Sequence, residues 1–122
     1  MSKILIVDDD KQITFYLENL LTMEGHVAIS VNESSKTIDA ANSFNPDLFI
    51  LDLMMPEPNG FELCRMLRAD PNYSKTPIVI ITAMDNNDSK AIALLAGAND
   101  YLMKPFRPDV LAERMKALLG KS

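Results

Sequence analysis

At 122 residues, with 48% hydrophobic and 24% charged side chains, the chain has the size and balance of one globular domain, which excludes wholesale disorder. Its formal net charge of −5 argues against a surface built to track nucleic-acid phosphates. A single cysteine, Cys64, allows no internal disulfide and fits a reduced cytoplasmic setting.

The first apolar run, Ile4-Leu5-Ile6-Val7, is unbroken and suits a strand covered on both faces. Three aspartates follow it at once, so no signal peptide is expected. Ile13, Tyr16, Leu17, Leu20 and Leu21 then form one helical stripe. Val27-Ala28-Ile29-Ser30-Val31 alternates and reads as an edge strand. A weaker helix over residues 34–43 rests on Ile38, Ala41 and a serine cap. Leu48-Phe49-Ile50-Leu51 is a third strand, followed by a helix striped with Gly60, Leu63, Cys64 and Leu67. Pro77 opens a fourth strand, Ile78-Val79-Ile80-Ile81, where a missing N–H is tolerated. Ala91, Leu94, Leu95 and Ala98 give the next helical stripe, and Tyr101-Leu102-Met103 the fifth strand. Leu111, Met115 and Leu118 complete a last helix that stops at Gly120. None of the apolar runs approaches the roughly 18 residues of a membrane span. Strand and helix alternate five times, which predicts an α/β (βα)5 doubly wound parallel sheet in one domain over residues 1–122.

In such a sheet, ligands bind at the carboxyl ends of the strands. There the first strand ends in Asp8-Asp9-Asp10, the third in Asp52, the fourth in Thr82 and the fifth in Lys104-Pro105. Carboxylates held about 4 Å apart repel by about 4 kcal/mol per pair at an effective dielectric near 20. A hard divalent cation would relieve that cost, and Mg²⁺ accepts one or two carboxylates with a phosphate oxygen and waters. Lys104 adds a point charge and Thr82 a hydroxyl donor. Together these groups suit phosphoryl transfer, with Asp52 as the candidate nucleophile. Asp10 reads differently, as the N-cap of the first helix.

The stretches ILIVDDD at 4–10, ILDLMMPEPNG at 50–60, IVIITA at 78–83 and AGANDYLMKPF at 96–106 resemble the receiver domain of two-component response regulators. The resemblance runs from Lys3 to Leu119. It implies a flavodoxin-like fold with strand order 2-1-3-4-5. It also implies that Asp52 is the phosphoacceptor, forming a 4-aspartylphosphate. Asp9 would be the Mg²⁺ ligand, with Asp8 assisting and the Met54 backbone carbonyl completing the protein's share. Lys104 would contact the phosphoryl group, Thr82 would bond to it after phosphorylation, and Tyr101 would respond through its rotamer. The Lys104–Pro105 peptide is expected to be cis. The implied partner is a histidine kinase or histidine phosphotransfer protein. The responding surface is the fourth helix, fifth strand and fifth helix, and the resemblance leaves open a homodimer through the fourth and fifth helices. The chain stops soon after the fifth helix, so no output domain is expected within it.

Two asparagines depart from the family pattern, Asn59 before Gly60 and Asn99 before the last strand. Met54 and Met84 each stand two residues beyond a key position. Thioethers there would not orient an attacking water, so slow self-dephosphorylation is expected. Other features read as structural: His26 as a surface residue, Cys64 and the methionines as packing.

Three alternatives stand beside this reading. A phosphohydrolase of the haloacid dehalogenase type needs D-x-D after its strand. Met54 occupies the second place after Asp52, and Asp8 with Asp10 form such a pair without the length for a cap region. A nucleotide- or flavin-binding module lacks its glycine-rich motif, since only four glycines are present. A pseudo-receiver would bind partners without being phosphorylated, against which stands the intact set of acid pair, acceptor, threonine and lysine.

Overall fold

The computed structural model describes residues 2–84 and 87–120. In chain order the elements are β1 (Lys3–Val7), α1 (Lys11–Met23), β2 (Val27–Val31), a 3-10 turn (Ser34–Lys36), α2 (Thr37–Phe44) and β3 (Leu48–Leu51). They continue with α3 (Gly60–Ala69), β4 (Ile78–Thr82), α4 (Asn87–Ala96), β5 (Asp100–Met103) and α5 (Pro108–Leu119). The five strands are parallel in the order β2-β1-β3-β4-β5, the flavodoxin-like topology expected.

Side chains alternate across a strand, so each central strand feeds two cores. Leu5, Val7, Phe49, Leu51, Ile78 and Ile80 face α2, α3 and α4, meeting Ala41, Leu63, Cys64 and Leu67. Ile4, Ile6, Leu48, Ile50, Val79 and Ile81 face the opposite side, where Leu17, Leu21, Leu111 and Met115 cover them. β1, β3 and β4 are buried throughout, apart from the exposed Lys3 that opens β1. β2, by contrast, is only partly buried until Val31, as an edge strand must be.

Local sequence explains the helix ends. The Asp10 carboxylate accepts from the N–H groups of Gln12 and Ile13, capping α1. Asn59 and Glu62 form a reciprocal capping box on α3. Gly120 closes α5 with φ +65°, a left-handed conformation that costs glycine nothing.

Three helical expectations need correction. On α1, Leu17 and Leu21 are buried, but Tyr16 is half exposed and rests its ring 6.1 Å from that of Phe106, while Thr14 takes an inner place. Before α2, Ser34 is no cap; its hydroxyl donates to the Pro56 carbonyl, and the chain makes a 3-10 turn before the helix begins. On α4 the stripe lies elsewhere: Ser89, Ala93 and Ala96 face inward, while Ile92, Leu94 and Leu95 are exposed. Small side chains let that helix lie close to the sheet, and a leucine in their place would overfill the gap.

Candidate functional site

The strand register builds the site. Val7 pairs with Leu51, so the residues that follow them, Asp8 and Asp52, leave the sheet side by side. The Asp52 N–H donates to the Val7 carbonyl at 3.0 Å, which extends this pairing by one step. Thr82 ends β4 beside Met103 of β5, and the Lys104 N–H donates to the Thr82 carbonyl at 2.8 Å. Strand order reverses between β1 and β3, the place where an open α/β sheet forms its crevice.

The side chains converge there. One oxygen each from Asp8, Asp9 and Asp52 can be chosen so that all three lie within 4.8 Å of one another. The Lys104 ammonium donates to Asp8 Oδ2 at 2.8 Å and to Asp52 Oδ2 at 3.3 Å. Asp8 Oδ1 accepts from the Asp10 N–H at 2.9 Å, and Asp52 Oδ1 from the Met54 N–H at 3.3 Å. Asp8 and Asp52 are buried, whereas Asp9 is exposed.

Burial raises the Asp8 carboxyl above its usual range, and the neighbouring Asp52 charge adds to this. The hydrogen bonds from Lys104 and the Asp10 amide only partly offset that rise. Burial by itself would lower the Lys104 ammonium. Its hydrogen bond to Asp8 and the two carboxylate charges outweigh this, so the group stays charged well past neutrality. Two of the three carboxylates thus share one lysine, and an all-oxygen donor set of this kind fits a hard divalent cation.

Thr82 is fully buried and its Oγ1 accepts from the Met84 N–H at 3.4 Å. Tyr101 is packed into the core at 8% exposure, with its hydroxyl donating to the Met84 carbonyl at 2.9 Å. Met54 lies 59% exposed at the rim. The Lys104–Pro105 peptide is cis, and so is Glu57–Pro58.

The fold is that of a known family. A family model described as the response regulator receiver domain matches residues 4–116. The chain belongs to the response regulator receiver family. The DNA-binding response regulator MtrA of Mycolicibacterium smegmatis is 40% identical over 120 residues, covering 98% of this chain and 51% of MtrA. The transcriptional regulatory protein CpxR of Escherichia coli K12 is 38% identical over 122 residues, covering 100% and 51% respectively. The receiver therefore spans about half the length of these curated relatives. Among solved structures, the BeF3-activated N-terminal receiver domain of Klebsiella pneumoniae RstA superposes with a TM-score of 0.90 at 30% identity, covering 96% of this chain and 97% of that one.

Two further residues shape the backbone around the receiver's site. Gly60 opens α3 against the Asp52 backbone: a Cβ there would sit 2.2 Å from the Asp52 carbonyl oxygen. Asn32, at the end of β2, donates through Nδ2 to the Asp8 carbonyl at 2.9 Å and to Thr14 Oγ1 at 3.2 Å. The glycine was legible as the end of the ILDLMMPEPNG stretch, but nothing about Asn32 stands out in the sequence. Of the methionines read as packing, Met55 and Met115 are buried, whereas Met23, Met54, Met66 and Met103 are exposed. Cys64 is buried, and burial raises its thiol above the ordinary range, which makes it unreactive. His26 is partly buried rather than fully on the surface, with its Nδ1 enclosed and unpartnered among the described residues.

Proposed function

We propose that the receiver accepts a phosphoryl group on Asp52 from a phosphohistidine of a histidine kinase or phosphotransfer protein, in a Mg²⁺-dependent reaction. The observation that carries this reading is the convergence of the Asp8, Asp9 and Asp52 carboxylates with the Lys104 ammonium at one rim. Asp8, Asp9 and Asp52, with the Met54 carbonyl, would hold the cation. When bound, it would supply positive charge that offsets the acid cluster and the transferring phosphoryl oxygens.

Asp52 supplies the nucleophile. The Met54 amide donates to its Oδ1, and Lys104 touches its Oδ2, so the carboxylate is held in one orientation before the donor arrives. In the transfer, a new bond forms between an Asp52 oxygen and phosphorus. The phosphorus–nitrogen bond of the donor breaks, and the imidazole leaves with the bonding pair. Lys104 remains as a fixed cation for the developing charge. The product carries roughly −1.5 to −2 charge, by analogy with other phosphorylated side chains. Thr82 would turn its hydroxyl toward a phosphoryl oxygen. Tyr101, bonded to the carbonyl of Met84, would then shift with the segment that follows β4. The surface of α4, β5 and α5 reads out the change. It carries the exposed Ile92, Leu95 and Met103, an apolar face suited to a second copy or an effector.

This makes the chain a signalling domain that modifies only itself, acting in the cytoplasm. Among the described residues no helix is long and apolar enough to cross a membrane. Incubation with acetyl phosphate and Mg²⁺, followed by intact mass measurement, tests the reading. One phosphoryl group is expected on the parent chain and none on Asp52→Asn or after chelation of the metal. Addition to Asp52→Asn, or none to the parent, would overturn it.

A further inference from the structure

We propose that Asn32 is a positioning residue for the cation site, setting the plane of the Asp8–Asp9 peptide and so aiming the Asp9 carboxylate. The inference rests on the magnesium-dependent phosphoacceptor reading and deepens it. β1 ends at Val7, and the Asp8 N–H makes one more ladder bond, to the Val31 carbonyl at 3.2 Å. The Asp8 carbonyl belongs to the next peptide, beyond the strand, and the donor that meets it is Asn32 Nδ2 at 2.9 Å.

That nitrogen has two hydrogens, and the second goes to Thr14 Oγ1 at 3.2 Å. The Thr14 hydroxyl in turn donates to the Lys11 carbonyl at 3.1 Å, closing a bracket across the acidic loop from its start to the first turn of α1. Asp8 needs no help from this bracket, because Lys104 and the Asp10 amide already hold its carboxylate. Asp9 is different. Its side chain is exposed, and the peptide that leads into it is the one whose carbonyl Asn32 holds. Removing the amide frees that plane to rotate while leaving Asp52 and Lys104 where they are.

Partners one step removed from a metal ligand typically change metal affinity 10- to 100-fold when mutated. The test is a Mg²⁺ titration of the unphosphorylated chain followed by amide NMR, on the parent, Asn32→Leu and Asn32→Ala. Phosphorylation rates with acetyl phosphate at saturating Mg²⁺ are measured alongside. The expected result is a Mg²⁺ dissociation constant raised about 10-fold in both variants, with the saturating rate kept within about two-fold. A dissociation constant within about two-fold of the parent in both variants would overturn the assignment. So would a saturating rate lost together with affinity, which marks general disruption of the rim. A parent chain with no saturable Mg²⁺ binding would instead bring down the phosphoacceptor reading itself, and Asn32's role with it.

Discussion

Asp52 has hydrogen-bond donors on both oxygens yet stays beside two other carboxylates, and its surroundings decide how long a phosphoryl group would survive on it. Met54 is exposed at the rim and Met84 half-buried beyond Thr82. Neither thioether can take a proton from water or orient it, so the phosphorylated receiver is expected to lose its label slowly. A decay followed by intact mass at neutral pH checks this. Met54→Asn, which offers an amide to water, should shorten the lifetime several-fold. A parent half-life of seconds contradicts the argument.

His26 allows a pH prediction at the same scale. Burial first, and nearby positive charge second, lower its imidazole below the ordinary value near 6.5. A group depressed in the folded state contributes stability that is complete above its unfolded pKa and lost as pH falls through its folded one. Between about pH 7.5 and 5.5 the parent should therefore lose more unfolding free energy than His26→Phe, which carries no titrating group. Urea unfolding of both chains at the two pH values measures the difference, and equal losses would contradict it.

At the scale of elements, the clasp on α3 shows what holds the far end of the sheet. The Arg68 guanidinium donates to the carbonyls of Gly97, Tyr73 and Thr76 and to the Asn99 side chain, at 2.7 to 3.0 Å. Asn99 Oδ1 also accepts from the Ile78 N–H, so one side chain links α3, the start of β4 and the turn before β5. Gly97 is fixed by the same contact. Its φ is +119°, and a Cβ would lie 2.5 Å from Arg68 Cγ. Arg68→Met leaves these acceptors without their donor and should cost about 2–3 kcal/mol in urea unfolding, at an unchanged slope. A loss below about 0.5 kcal/mol, as for an ordinary surface change, would contradict the clasp.

This clasp was not legible in the sequence, because an arginine at a helix end reads as a solvated charge until the loops that meet it are known. The α4 stripe was misread for a related reason. Ile92, Leu94 and Leu95 are the large apolar residues there, but closeness to the sheet selects Ala93 and Ala96. The strands were legible, since runs such as Ile78–Ile81 are buried on both faces and leave few other readings. Asn32 was invisible, because its role depends on a carbonyl that only the end of the ladder leaves free.

At the scale of the whole molecule, two cores on opposite faces fix a sheet whose carboxyl-end rim can be strained with like charges at low structural risk. The acid cluster was legible because four strand ends carry polar residues at the same relative place, a pattern that packing alone does not require. The curated relatives MtrA and CpxR are each about twice the length that this chain matches. What unites these levels is the claim that one carboxylate, Asp52, is the acceptor. Borohydride reduction of chains treated with acetyl phosphate and Mg²⁺ converts an aspartyl phosphate to homoserine, and peptide mapping then locates it. Homoserine at position 52 alone, absent when the metal is chelated, is the predicted result. Conversion at another aspartate, or none at any, would contradict it.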